Sequence, residues 1–117
     1  MVERIESGPR MSQAVIHNKT VYLAGQVAAN PRGSSVAAQT REILASIDEL
    51  LARARTEKSH LLSATIWLTD MESFAEMNQV WESWVVPGAT PARATVLSPQ
   101  LAGPDYKIEI SVIAAQP

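Results

Sequence analysis

Leu62-Ser63-Ala64-Thr65-Ile66-Trp67-Leu68-Thr69 is the stretch that decides the fold. Leu62, Ala64, Ile66 and Leu68 alternate with Ser63, Thr65, Trp67 and Thr69, the two-residue period of a strand with one face in a core. Helical periods flank it. From Ser35 to Ala54, Val36, Ile43, Leu44, Ile47, Leu50 and Leu51 form one apolar stripe, with Gln39, Arg41, Glu42, Asp48, Glu49 and Arg53 largely outside it. Downstream, Phe74, Met77, Trp81, Trp84 and Val85 recur at helical spacing, Ser73-Phe74-Ala75-Glu76 matches a capping box, and Pro87-Gly88 ends the run.

Strands continue outward on both sides. Ser12 to His17 and Thr20 to Val27 are β-like runs separated by a tight turn at Asn18-Lys19. In the second run strict alternation puts Val21, Leu23, Gly25 and Val27 on one face, and Tyr22, Ala24 and Gln26 on the other. Asn30 to Ser34 reads as a loop and Arg55 to Ser59 as a solvated connection. Ala92 to Leu97 and Tyr106 to Ala114 are the last two strands. The order β-β-α-β-α-β-β predicts one α+β domain over residues 1–117, a mixed sheet with two helices. Right-handed crossovers put both helices on the same face of that sheet. The other face, expected to carry Thr65, Trp67 and Leu97, is too apolar to remain in water, so the chain is expected to pack against copies of itself.

Composition narrows the function classes. The chain has 117 residues, 46% apolar and 19% charged, which are values of an ordinary folded domain. A net charge of −2, with dispersed basic residues, offers no electrostatic footprint for nucleic acid or an anionic membrane. The absence of cysteine removes disulfides, thiolate metal sites and a thiol nucleophile. His17 and His60 lie far apart in sequence and no metal-ligand spacing is present, so no metal is expected. Neither a serine elbow nor a phosphate-cradling glycine loop appears. The charged N-terminus has no signal-peptide core, and no apolar run approaches the ~20 residues of a membrane span. A cytoplasmic protein is expected.

One arginine stands out against this background. Arg93, in Thr90-Pro91-Ala92-Arg93-Ala94-Thr95-Val96, interrupts a run of small and β-branched residues. A guanidinium on a half-buried strand needs a carboxylate partner, solvent or an anionic ligand. Glu109, in Tyr106-Lys107-Ile108-Glu109-Ile110-Ser111-Val112, is the strand-borne carboxylate of the following strand, and strands consecutive in sequence are commonly neighbours. Two readings are open. The pair is a cross-strand ion pair, or Arg93 holds a substrate carboxylate while Glu109 handles a proton. Gly25 permits a close backbone approach or marks a bulge. Asn78 sits beside the Met77/Trp81 stripe, and Trp81 and Trp84 are core or interface anchors able to wall a small pocket.

Together these segments resemble the YjgF/RidA family of reactive-intermediate (enamine/imine) deaminases. The likeness runs through Ser12-Gln13-Ala14-Val15, Ala24-Gly25-Gln26-Val27, Gln39-Thr40, Asp70-Met71 to Asn78, Pro91-Ala92-Arg93 and Lys107-Ile108-Glu109-Ile110. It implies a chorismate-mutase-like fold, a homotrimer with ligand clefts between subunits, and hydrolysis of 2-imino acids to 2-keto acids and ammonia without a cofactor. By resemblance, Arg93 binds the carboxylate and Glu109 positions or protonates the attacking water. Gly25 and Thr95 help hold the ligand through the backbone, with Asn78 close to the cleft. Met11 stands near the place where many members have a tyrosine, Ala24 where a hydroxyl residue often precedes the Gly-Gln pair, and Ser111 where some carry a second acid. These departures leave open a second expectation, a non-catalytic module that binds small 2-keto or carboxylic acids. RNA cleavage or a chaperone-like role ranks last.

Overall fold

The computed structural model describes all 117 residues. Six strands form one sheet in the order β1-β2-β3-β6-β4-β5, made by Glu3–Ile5 (β1), Ala14–His17 (β2), Thr20–Leu23 (β3), Leu61–Leu68 (β4), Ala92–Leu97 (β5) and Ile108–Ala115 (β6). Two helices, Val36–Arg53 (α1) and Phe74–Trp84 (α2), connect β3 to β4 and β4 to β5. Only β4 and β5 pair in parallel; every other neighbouring pair is antiparallel. Both helices cover one face. Ile43, Ile47 and Leu51 of α1 and Met77 and Trp81 of α2 share a single apolar cluster with Ala64, Ile66, Leu68, Ile108, Ile110 and Val112 of the sheet.

Four expectations need correction. First, β1 was not foreseen: Glu3-Arg4-Ile5 is charged and short, and it becomes a strand because Ile5 is buried and its backbone pairs with Ala14. Exposed ion pairs from Glu6 to Arg53 and from Glu3 to Arg55 tie this edge to the end of α1. Second, a register shift between Leu61 and Ser63 turns Leu62 outward, leaving it 50% exposed while Leu61 takes the core position. Third, Leu97 pairs with Leu68, so it lies on the helix-covered face, not the open one; it stays exposed because β5 is an edge strand. Val96, in register with Trp67, takes its place on the open face. Fourth, Ser73 makes no side-chain cap.

Capping is redistributed instead. The Asp70 carboxylate accepts from Glu72 N and opens a 3-10 turn, Met71–Ser73, that leads into α2. Glu76, freed from a local box, reaches across to the first turn of α1 and accepts from Ala37 N at 2.9 Å. Ser35 Oγ accepts from Ala38 N beside it. A carboxylate at a helix N-terminus satisfies an orphan donor and meets the favourable end of the helix dipole. Replacing Glu76 with alanine is expected to lower stability by about 1 kcal/mol, about 4 °C in Tm for a domain of this size. Thermal unfolding followed by circular dichroism checks it, and Glu76→Gln should recover part of the loss.

Candidate functional site

The strand order separates Arg93 from Glu109. Because β4 lies between β5 and β6, the two are not on neighbouring strands, and two strand spacings of ~4.8 Å intervene. Their faces differ as well. Arg93 is in register with Ala64 and, through it, Val112, both buried under the helices. Glu109 is in register with Trp67 and Val96 on the open face. The cross-strand ion pair is therefore excluded.

Arg93 is half-buried and unneutralised. The ion pairs of the molecule are those of Arg53 and Arg55 with Glu6 and Glu3. The guanidinium instead lies 5.8 Å from the ring centre of Phe74 and 5.5 Å from that of Trp81. Burial lowers its pKa from the ordinary guanidinium value, while the charge of Glu82, too far for an ion pair, pulls the other way. Phe74, Asn78 and Trp81 recur at four and three residues on α2, so Asn78 occupies the helix position between the two rings. Thr95 shares the face of Arg93, two residues along β5, and its Oγ1 is buried without a hydrogen-bond partner.

Glu109 is positioned by the backbone around Gly25. β3 stops at Leu23 and the chain rejoins β6 at Gln26, whose N donates to Ile110 O at 2.8 Å and whose O accepts from Ile110 N at 3.1 Å. Tyr22 pairs with Ile113 and Gln26 with Ile110, so β3 carries one residue more than β6 over this interval. That bulge overturns the simple alternation: Gly25 faces the Glu109 side chain rather than sharing the face of Val21 and Leu23. A Cβ on Gly25 would lie 2.0 Å from Glu109 Oε2. The Ser111 hydroxyl donates to Leu23 O where the pairing breaks, so its place in the sequence serves the bulge. Gln26 Nε2 donates to Gln13 Oε1 and to Ala24 O, fixing the far side of the same turn.

A further positioning group was missed. Gln39, expected outside the apolar stripe of α1, is fully buried. Its Nε2 donates to the carbonyls of Pro31, Ser34 and Asp105, and its Oε1 accepts from Lys107 N at 3.0 Å. The amide thus fixes the start of β6, two residues before Glu109. Only its position, one helical turn before Ile43 and close to the apolar stripe, could have suggested burial.

Other sequence candidates lie apart. Trp84 donates through Nε1 to Asp48 Oδ2 at 3.0 Å and stacks near Lys58. It borders a cavity of about 230 Å³ between the helices, away from Arg93 and Glu109. Met11 is 49% exposed in the turn where Gly8 N donates to its carbonyl. That turn precedes β2, which has three strands between it and β5 in the sheet. Ala24 lies next to Gly25 in the bulge, with its N donating to Gln13 O. None of the four surface cavities is lined by Arg93 or Glu109. A single chain presents the two groups without gathering them.

The fold and its sequence belong to a known family. Residues 1–116 match the family described as Endoribonuclease L-PSP, and the chain is a member of this family, the YjgF/RidA proteins. A RutC family protein of Haemophilus influenzae is 42% identical over 113 residues, 97% of each chain. The RutC family protein YoaB of Escherichia coli is 43% identical over 114 residues, again 97% of both. The crystal structure of NMB1025, a YjgF family member from Neisseria meningitidis, superposes with a TM-score of 0.95 at 42% identity, over 100% of this chain and 96% of that one. No helix is long and apolar enough to cross a membrane.

Proposed function

We propose that this chain hydrolyses reactive 2-imino acids to 2-keto acids and ammonia, in clefts between the subunits of a cytoplasmic homotrimer. The observation that carries the reading is a half-buried Arg93 with no acidic partner in its own chain. A desolvated cation without a counter-charge is a binding site for an anion. Glu109 sits on the opposite face, which carries Trp67, Tyr22 and Val96 and has no cover within the chain. In the proposed trimer a second protomer covers that face, and the cleft requires the partner's β5 edge, with its guanidinium, to lie beside Glu109. The same step covers the apolar surface.

In this reading Arg93 takes the substrate carboxylate in a two-point fork, with the Thr95 backbone and Asn78 beside it. Glu109, backed by Gly25, accepts a proton from water as its oxygen adds to C2 of the iminium group. It then returns that proton to the amine nitrogen, and as the C2–N bond breaks and ammonia leaves, the carboxylate takes the proton of the C2 hydroxyl, so the carbonyl forms and the proton passes to solvent. Imine hydrolysis is intrinsically easy, so orientation and one proton relay suffice. The family's descriptive name contains the word endoribonuclease; a net charge of −2 with scattered basic residues argues against an RNA substrate here.

An amino-acid oxidase that generates 2-iminobutyrate in place supplies the test. Added protein is expected to accelerate 2-ketobutyrate release, and sedimentation is expected to give a trimer at micromolar concentration. No acceleration together with calorimetric binding of 2-ketobutyrate selects a non-catalytic binding module. The exposed Met11 and the hydroxyl-free Ala24 are the residues that favour that second reading.

A further inference from the structure

We propose that Phe74 and Trp81 are positioning residues, an aromatic clamp that holds the Arg93 guanidinium ready for a carboxylate without neutralising it. The inference rests on the site described under Proposed function and adds the means by which its cation is held. A half-buried guanidinium can be oriented by an acid, by carbonyl oxygens or by π faces. An acid would orient Arg93 but would also occupy the donors a ligand needs. Ring faces attract the cation through their quadrupole, and leave its five N–H donors free.

The geometry fits the third case. The rings lie 5.8 and 5.5 Å from the guanidinium carbon, within the range of cation–π attraction. They are seven residues apart on α2, two turns along one stripe, so one rigid helix sets both. Trp81 is anchored in the core at 5% exposure, whereas Phe74 is 40% exposed. Core packing therefore accounts for Trp81 but poorly for a phenylalanine left this open. Its ring is explained by the cation beside it. Glu82 acts on Arg93 only at a distance, so the rings are the contacts that fix its direction.

Phe74 is the informative position, because its exposure lets substitutions fold. Phe74→Leu removes the π face and keeps apolar bulk, and Phe74→Tyr restores the face. Three quantities are read for each: the Arg93 Nε–H resonance by NMR, the Kd for 2-ketobutyrate by calorimetry, and KM and kcat in the oxidase-coupled assay. In Phe74→Leu the resonance is expected to move as the ring current is lost. Kd and KM should rise about tenfold, the scale of one partly desolvated cation–π contact, with kcat within about twofold of wild type. Phe74→Tyr should return all three. An unmoved resonance, an unchanged Kd, or equal losses in the Leu and Tyr variants overturns the clamp. Failure of the wild type itself to bind 2-ketobutyrate or turn over the imine is a different result. It removes the proposed function, and the purpose of the clamp with it.

Discussion

Arg93→Ala is expected to cut imine hydrolysis by about thirtyfold or more while leaving the fold in place. The guanidinium makes no ion pair within the chain, so its removal strands no buried carboxylate. What it loses in stability is the pair of ring contacts, partly offset by relief of its desolvation, which burial shows as a lowered pKa. The Tm should stay within a few degrees of wild type. Ligand binding is another matter, because a desolvated substrate carboxylate is left facing nothing. That situation costs ~2–5 kcal/mol, about thirtyfold to several thousandfold in kcat/KM. Arg93→Lys keeps the charge but loses the planar fork, and should recover only part of the loss. Full activity in Arg93→Ala, in the oxidase-coupled assay, would remove the site.

Gly25→Ala should be nearly as damaging, for a reason visible only in three dimensions. The glycine is not there for its backbone, since the positive-φ glycines are Gly33 and Gly88. It is there for room: an added Cβ would lie 2.0 Å from Glu109 Oε2 and 2.9 Å from its Cδ. Those atoms end a flexible side chain, so the collision is relieved by rotating the carboxylate away at little cost to the fold. A displaced general base is a lost one. Turnover is expected to fall by on the order of 10²-fold, the lower end of what proton transfer contributes, with Tm nearly unchanged. If Glu109 is the only casualty, Gly25→Ala combined with Glu109→Gln should be no worse than Glu109→Gln alone. Additive losses in that cycle would show that Gly25 serves something else.

The sequence made some features plain and hid others for physical reasons. Both helices were legible because their apolar stripes run for several turns, and β4 and β6 because alternation persists from Ser63 to Leu68 in the first and through all eight residues of the second. What local period cannot express is spatial order. Consecutive strands usually pair, yet β6 inserts between β3 and β4, so Arg93 and Glu109 were wrongly expected side by side. The one-residue bulge at Ala24–Gly25 escaped for a related cause, since alternation counts residues and a bulge miscounts them. Gln39 escaped because a buried glutamine is identified by the carbonyls around it, which come from Pro31, Ser34 and Asp105. Arg93 itself was legible as an anomaly, but its aromatic partners were read as an apolar stripe, with Trp81 a core or interface anchor or a pocket wall and not a cation's partner. Phe74 and Trp81 share a stripe with Met77, and helical spacing alone does not separate a ring that fills a core from one that holds a cation.

The place of β6 has a consequence for biosynthesis. During translation the first five strands leave the ribosome as two unconnected groups, a β1-β2-β3 meander and a β4-β5 pair, each missing its inner neighbour. Neither can close until Ile108–Ala115 emerges and threads between them. Until then two unsatisfied edges are exposed to other nascent chains, and a stalled or truncated product lacking Ile108–Ala115 becomes a substrate for chaperones and proteases.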